Sequence, residues 1–490
     1  MTGFNRLALL GSLLLAAAAC GEDDGGTEPP PPPPGTTITY ASGRGQSGLV
    51  GEPLELPFEV LVTEDGEPKE GVTVLWELAE GTGTLSGASA PTGPDGRASV
   101  ILTFGAAYGY RLVHARLTPG AAPIAFDSRA YHEMPFAGGG NNVPDRFTSD
   151  LWLHGDHAYT GTWGSIARNG NYGDVLKVWS LGGNGAPSLV HEVVLPDIST
   201  VSDVEVSADG TLLLATTEGQ AADGLYLFSL ADPANPAPVA YEPVGSGLHT
   251  GTFAEVGGVR YVFAARNPGS PALMIWRIDP LAGDPIEPVA SVPIPADYGI
   301  HDTFVRDGLA FVSAWNTGLI IYDVGDGRAG GSPAAPQEVS RIVTAANGVP
   351  GGPAVHNAWW FHNPELGEKR YLFVGQEGPA TIGSTSSGDL HVVDVSNLAS
   401  PVEVASLRIP GAGVHNFWMD EARQILYAAF YNGGVVALDV SGTLSGNLAS
   451  RVMGQARPAG GSTYVWGVML HQGSLYASDM QTGLWQLTPP

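Results

Sequence analysis

Cysteine occurs once in 490 residues, at Cys20, so the chain cannot close an internal disulfide and offers no cysteine pair to a metal or redox centre. Lysine is confined to Lys69, Lys177 and Lys369, which leaves little for a polybasic membrane patch or a lysine-based catalyst. Against 49 acidic residues stand 22 basic ones, a formal net charge of -27, the reverse of the footprint that neutralising phosphates demands. Nucleic acid is excluded as a partner. Missing too are a Gly-x-Ser-x-Gly elbow, a phosphate loop with lysine and a His-Glu-x-x-His pair, so hydrolase and kinase chemistry lose their usual signatures. What is abundant is punctuation. The 68 glycines and 39 prolines follow no collagen register, and with 43% hydrophobic residues they predict many short strands in two or three globular domains.

Met1 to Ala19 carries one basic residue, Arg6, an apolar run from Leu7 to Leu15 and four alanines before Cys20. That order is the form of an export signal, and the run is too short to span a bilayer comfortably. With Ala17, Ala18 and Ala19 before Cys20, the segment resembles a bacterial lipoprotein signal, although the first of these is more often leucine in that family. The resemblance implies lipidation of Cys20 and anchorage to a membrane of the cell envelope. Residues 21–36 are then acidic and proline-rich, with Pro29 to Pro34 unbroken, and predict a stiff polyproline tether.

Between residues 37 and 131, apolar alternation recurs at Phe58, Val60, Val62, at Val72, Val74, Trp76 and at Ala98, Val100, Leu102, with turns at Asp65-Gly66 and Asp95-Gly96. Half-buried antiparallel strands in a sandwich are expected. Gly71-Val-Thr-Val-x-Trp76, Gly81-x-Gly83-x-Leu85 and the passage from Thr92 to Val100 resemble bacterial immunoglobulin-like domains of the invasin type. The resemblance implies a spacer or an adhesive stalk, and no cluster of catalytic residue types falls here.

From 132 to 490 the chain repeats with a period of roughly 46 to 59 residues, the range of four-stranded propeller blades. Gly224-Leu-Tyr-Leu-Phe-Ser, Gly318-Leu-Ile-Ile-Tyr-Asp-Val324, Gly388-Asp-Leu-His-Val-Val-Asp-Val395 and Gly433-Gly-Val-Val-Ala-Leu-Asp-Val440 are copies of one third strand. Seven copies are counted, and the last lacks its outer strand, expected from Ile124 to Met134. Asp323, Asp394 and Asp439, which end third strands, are expected to cap the turns through side-chain to backbone bonds. The copies resemble LVIVD-repeat propellers. The expected fold is all-β, an immunoglobulin-like sandwich followed by a seven-bladed propeller.

Aligning the copies at the innermost strand places Asp150, Asp203, His249, His301, His356, His415 and Trp466 at one position. Four consecutive copies carry histidine there, in the like words Leu248-His-Thr-Gly-Thr-Phe253, Ile300-His-Asp-Thr-Phe304, Val355-His-Asn-Ala-Trp359 and Val414-His-Asn-Phe-Trp418. Ends of second strands add Trp163, Glu218, Trp315, Asn316, Glu377, Tyr431 and Asn432 to the same channel mouth. Three readings stay open: histidines bracing neighbouring blades, a transition-metal site, or direct binding of a small molecule, glycan or protein. Asp150 and Asp203 are ring members or turn caps. Propellers of the selenium-binding-protein type, similar in architecture and histidine use, suggest copper, with zinc the other candidate. His154, His157, His191, His362, His391 and His471 are expected at the surface or in loops. The overall expectation is a monomeric, lipid-anchored binding module, with a metal-dependent enzyme, an oxidoreductase, as the competitor.

Overall fold

Along Gly109–Arg116 buried and half-buried residues alternate without interruption, which aims Val113 and Ala115 at one face of a sheet. A computed structural model describes residues 33–490 except 141, 144, 165, 182–185, 221, 268–269, 295–298, 346–348, 350–351 and 379. The signal-like segment 1–20 with Cys20, and most of the 21–36 tether, lie outside the described residues. The Gly109–Arg116 strand pairs with Ile124–Tyr131 and Thr73–Glu80, and a second sheet holds Thr36–Ser42, Phe58–Glu64 and Arg97–Val100. Phe58, Val60, Val74, Trp76 and Phe126 fill one core between the two. Phe126 touches the rings of Phe58 and Trp76 at centroid distances of 5.1 and 5.7 Å.

Beyond it, among the described residues, seven sheets follow one another. The first holds Phe147–His154, His157–Trp163, Val175–Ser180 and Ser188–Val194 in chain order, and the next five begin at Thr200, Thr250, Asp302, Val355 and Phe417. Each runs outward from its innermost strand through four antiparallel strands, and the fifth sheet adds a short parallel one, Gly446–Asn447, at its edge. Each pair of neighbouring sheets shares its own apolar core: Leu212 and Leu227 with Val262 and Trp276, for example, or Phe311 with Val374. The series closes on itself. Leu151 and Trp179 of the first sheet share a core with Met469 and Leu484 of the last, and the innermost strands of these two sheets pack together. This is a β-propeller, and among the described residues the fold is all-β apart from two short 3-10 turns, Leu448–Arg451 and Gly460–Ser462. Among the described residues no helix is long and apolar enough to cross a membrane.

The repeated glycine that opens the third strand has a steric reason. At Gly318 (φ +92°) an added Cβ would lie 2.3 Å from the carbonyl oxygen of Ile342, and at Gly434 (φ +79°) 2.0 Å from that of Ala456. Closure differs from the expectation. The outer strand of the last sheet is Phe136–Gly139, paired with Gly483–Leu487, whereas Ile124–Tyr131 stays in the N-terminal unit because Phe126 and Ala130 point into its core. The two units touch: the Tyr108 hydroxyl donates to Asp439 Oδ2 at 2.8 Å, and Tyr131 packs against the core that holds Leu438 and Val440.

Candidate functional site

The innermost strands carry the channel, and their register decides what faces it. In the sheets led by Val355–Asn363 and Val465–His471 the ladder skips one residue, His356 and Trp466, which bulges toward the axis. In the second sheet the skipped residue is Ser202, and in the first the skip begins at Ser149. Ser149 and Ser202, not Asp150 and Asp203, therefore share the layer of His249, His301, His356, His415 and Trp466. Each serine braces the next sheet, Ser149 Oγ donating to the Val201 carbonyl at 2.5 Å and Ser202 Oγ to that of Leu248 at 3.1 Å. Asp150 and Asp203 stand one residue further along, in a layer with Asp302, Asn357 and Asn416 beneath the histidines.

In the upper layer six rings close a belt. Centroid separations run 4.1 Å from His249 to His301, 4.2 Å to His356, 4.1 Å to His415 and 4.3 Å to Trp466; Trp163 completes it at 5.1 Å from Trp466 and 6.3 Å from His249. Two further aromatics lean on it from strained backbone. Trp315 (φ +48°) stacks on His301 at 4.9 Å, and Tyr431 (φ +41°) lies 4.7 Å from His415. Bulky residues rarely hold positive φ, and such strain concentrates at functional sites. Here the carbonyl of Trp315 accepts from the Val355 N–H at 3.1 Å and that of Tyr431 from the Val465 N–H at 2.9 Å, which pins both turns.

Glu377 supplies the belt's charge. Its Oε2 is 3.5 Å from His301 Nε2 and 3.7 Å from His356 Nε2, while the Tyr431 hydroxyl donates to Oε1. Burial pushes Glu377 up to about 7, opposed by the Tyr431 bond and by His249. Burial, joined by neighbouring imidazoles, drives His301, His356 and His415 well below the ordinary histidine value. His249 goes the other way. Burial works against its charge, but Glu218, 3.2 Å from Nδ1, more than offsets it with help from Glu377 and Asp203. His415 Nδ1 bonds the Trp466 carbonyl at 2.7 Å, which is bracing of a neighbouring sheet. His301 Nδ1, both nitrogens of His356 and His415 Nε2 are buried with no hydrogen-bond partner among the described residues. Buried polar atoms are ordinarily paired, so these four are open to a ligand. His301, His356 and Glu377 offer ligand atoms all within 4.8 Å of one another.

Trp163, His249, His301, Glu377, Tyr431 and Trp466 line a pocket of about 230 Å³. Asn316 and Asn432 serve loops. Asn316 Oδ1 accepts from the Ala354 N–H at 3.2 Å, and Asn432 Oδ1 accepts from the N–H and hydroxyl of Ser386 at 3.1 and 2.5 Å. Away from the mouth, His391 departs from its expected surface place. It is fully buried, with Nδ1 2.8 Å from Glu403 Oε1, because the third strand that carries it is covered on both faces.

The strand pattern of the fifth sheet has a counterpart among known families. Residues 385–408 match the LVIVD repeat. The matched stretch spans that sheet's third and fourth strands, Leu390–Asp394 and Val402–Leu407. No curated protein sequence matches the chain. Among solved structures, the β-propeller domain of Myceliophteria thermophila Cps50 (Swd1) matches at 12% identity over 72% of this chain and 98% of that one, with a TM-score of 0.46. Sqt1 of Saccharomyces cerevisiae matches at 10% identity over 72% and 84%, and Sqt1 of Chaetomium thermophilum at 13% over 72% and 86%, both with TM-scores of 0.46.

Proposed function

We propose that this protein is an exported binding module of the cell envelope. Cys20 carries the lipid anchor, residues 21–36 the tether, an invasin-type immunoglobulin-like unit at 37–131 the stalk, and a seven-bladed, LVIVD-type propeller at 132–490 the head of a monomer. The observation that supports binding is the belt of six rings around the upper pocket, with imidazole nitrogens left unpartnered at its edge. Tryptophan and tyrosine at a concave mouth, beside groups that give and accept hydrogen bonds, are the composition of a protein-binding hot spot. A segment of a partner protein is the occupant favoured over a glycan or free small molecule. The test compares capture of an envelope partner by the full chain and by Trp163→Ala and Trp466→Ala, with circular dichroism as the folding control. Loss of capture in both supports the reading, and capture indifferent to both overturns it.

One observation favours a second reading, a transition metal at His301, His356 and Glu377. The donor set of two imidazoles and a carboxylate suits zinc or copper, and nitrogens without other partners fit a ligand role. Held there, zinc would supply Lewis-acid chemistry and copper redox chemistry, the latter the basis of an oxidoreductase. His249 and His415, whose Nδ1 atoms bond Glu218 and the Trp466 carbonyl, fall outside the group whose ligand atoms lie within 4.8 Å of one another and would stand beside the ion. Elemental analysis of the full chain after exposure to zinc and copper, beside His301→Ala and His356→Ala, decides it. Near-stoichiometric metal that falls in both variants supports this reading; a metal-free chain ends it.

A further inference from the structure

The lining of the upper pocket combines aromatic faces with one carboxylate. Trp163, Tyr431, Tyr464 and Trp466 all border it and belong to one apolar cluster. Trp163 and Trp466 stand 5.1 Å apart between centroids with their planes tilted by 45°, and Tyr431 stacks on Tyr464 at 4.6 Å. The polar side of the lining is His249, His301 and Glu377.

Glu377 is engaged on one oxygen only. Its Oε1 accepts from the Tyr431 hydroxyl, while Oε2 has no hydrogen-bond donor among the described residues, His301 Nε2 at 3.5 Å and His356 Nε2 at 3.7 Å lying beyond ordinary reach. The side chain keeps 17% of its surface exposed, and Oε2 is not among the fully enclosed atoms, so a ligand in the pocket can touch it. No lysine or arginine lines the pocket. Of the two imidazoles there, His249 already faces Glu218 at 3.2 Å, which matches its charge within the protein.

These groups discriminate between occupants. An acidic side chain would meet the Glu377 carboxylate inside a chain of net charge -27. A purely apolar one would cover Oε2 without giving it a donor. A tetraalkylated ammonium suits ring faces but carries no N–H group for the oxygen. A guanidinium answers both demands, because it is always charged, lies flat against an aromatic ring and donates to a carboxylate. The geometry also asks for reach. Tyr431, Tyr464 and Trp466 are buried, whereas Ile166 and Thr381 on the same lining are exposed, so an occupant enters past a rim to a recessed wall.

We propose that the upper pocket receives an arginine side chain of the partner segment, its guanidinium donating to Glu377 Oε2 and lying against the Trp163 and Trp466 pair. The proposal rests on the reading of that pocket as a site for a partner protein. Arginine, tryptophan and tyrosine are the residues that dominate protein interfaces, and hot spots on one side tend to meet hot spots on the other.

The test titrates the full chain with the peptide acetyl-Gly-Arg-Gly-amide in buffer containing EDTA, so that no metal competes for Glu377, followed by calorimetry and tryptophan fluorescence. A citrulline peptide of the same shape replaces the guanidinium by a neutral urea, and a lysine peptide keeps the charge but not the plane. Saturable binding of the arginine peptide is expected, at least about tenfold tighter than of the citrulline one. Glu377→Gln, which keeps an acceptor for Tyr431, should erase that preference, a ratio that a general loss of fold does not shift. Trp163→Leu should weaken the arginine peptide, and Trp163→Phe, which keeps a ring, should retain it. An affinity for the citrulline or lysine peptide equal to that for arginine, a preference unchanged in Glu377→Gln, or no saturable binding of the arginine peptide overturns the proposal. If capture of the envelope partner then still depends on Trp163 and Trp466, the partner-protein reading stands without it; capture indifferent to both overturns that reading as well.

Discussion

One carboxylate oxygen, Glu377 Oε2, stands 3.5 Å from His301 Nε2 and 3.7 Å from His356 Nε2. Among the described residues neither nitrogen of the His356 ring has a hydrogen-bond partner, so the oxygen stands beside an unpaired imidazole. Glu377→Gln keeps an acceptor for Tyr431 and removes the charge from the trio. We expect zinc affinity, measured by competition with a chelating dye, to fall by more than about tenfold, or about 1.4 kcal/mol. Glu218→Gln, which alters only the partner of His249, should leave zinc affinity within a factor of about two.

A second prediction concerns Asp323, fully buried at the end of a third strand. Its Oδ1 accepts from the N–H groups of Gly325 and Gly327 at 2.9 and 3.2 Å, and its Oδ2 from those of Ala329 and Gly331 at 2.7 and 3.1 Å. Burial pushes the carboxyl up and these four donors more than reverse it, holding it at about 2. A carboxyl lowered by folding contributes stability that is present above its ordinary value and lost as pH falls through the lowered one. Asp323→Asn turns an amide NH₂ against two N–H donors and should cost about 2 to 3 kcal/mol near neutral pH. In urea melts repeated at falling pH, the difference from the parent protein should shrink between about pH 4 and pH 2.

The turn role of Asp323, Asp394 and Asp439 was legible from their place after an alternating strand, and Asp394 and Asp439 do accept from the N–H groups of Ser396 and Ser441, each at 2.9 Å. The histidine ring was legible for a similar reason, since four copies repeat one local word. Register was not. Nothing in the letters marks the skipped residues at Ser149 and Ser202, and a slip of one place moves Asp150 and Asp203 into the layer below. A lower row of rings stood in the same words, with centroids 5.2 Å apart between Phe304 and Trp359 and 5.5 Å between Trp359 and Trp418. Its meaning depends on which side of each strand faces the axis, and that follows only from the bulges.

The joint between the two units offers a third test. Gly109 has φ +106°, and a Cβ there would lie 2.9 Å from the carbonyl oxygen of Ser450, on the sixth sheet's side of the contact. Its neighbour Tyr108 donates to Asp439, and burial together with that bond pushes the phenol up to about 12. Gly109→Ala should cost about 1 to 3 kcal/mol through the clash and the strained φ. Tyr108→Phe, which loses the hydrogen bond alone, should cost about 1 kcal/mol. Scanning calorimetry is expected to show the N-terminal unit melting earlier than the propeller in the glycine variant, while the phenylalanine variant keeps the parent profile slightly lowered. An unchanged profile in Gly109→Ala would mean that the joint carries no stability.

Closure of the ring gives the last prediction. The strand Phe136–Gly139 covers Gly483–Leu487, whose backbone would otherwise form an open edge, and Phe136 packs on Trp485 at a centroid distance of 5.5 Å. Asn142 adds a two-way clasp, Nδ2 donating to the Leu484 carbonyl at 3.1 Å and Oδ1 accepting from its N–H at 3.0 Å. Gly139 sits at φ +117°, with an added Cβ only 2.4 Å from the same carbonyl, so Gly139→Val must push the covering strand away. An uncovered edge strand pairs with other chains. The variant should therefore lose little of its propeller circular dichroism yet aggregate on mild heating, with light scattering rising well below the parent's melting temperature. Asn142→Ala, which weakens the clasp without a clash, should show the same effect to a smaller degree. If the glycine variant stays monomeric through its melt, the ring does not depend on this strand for closure.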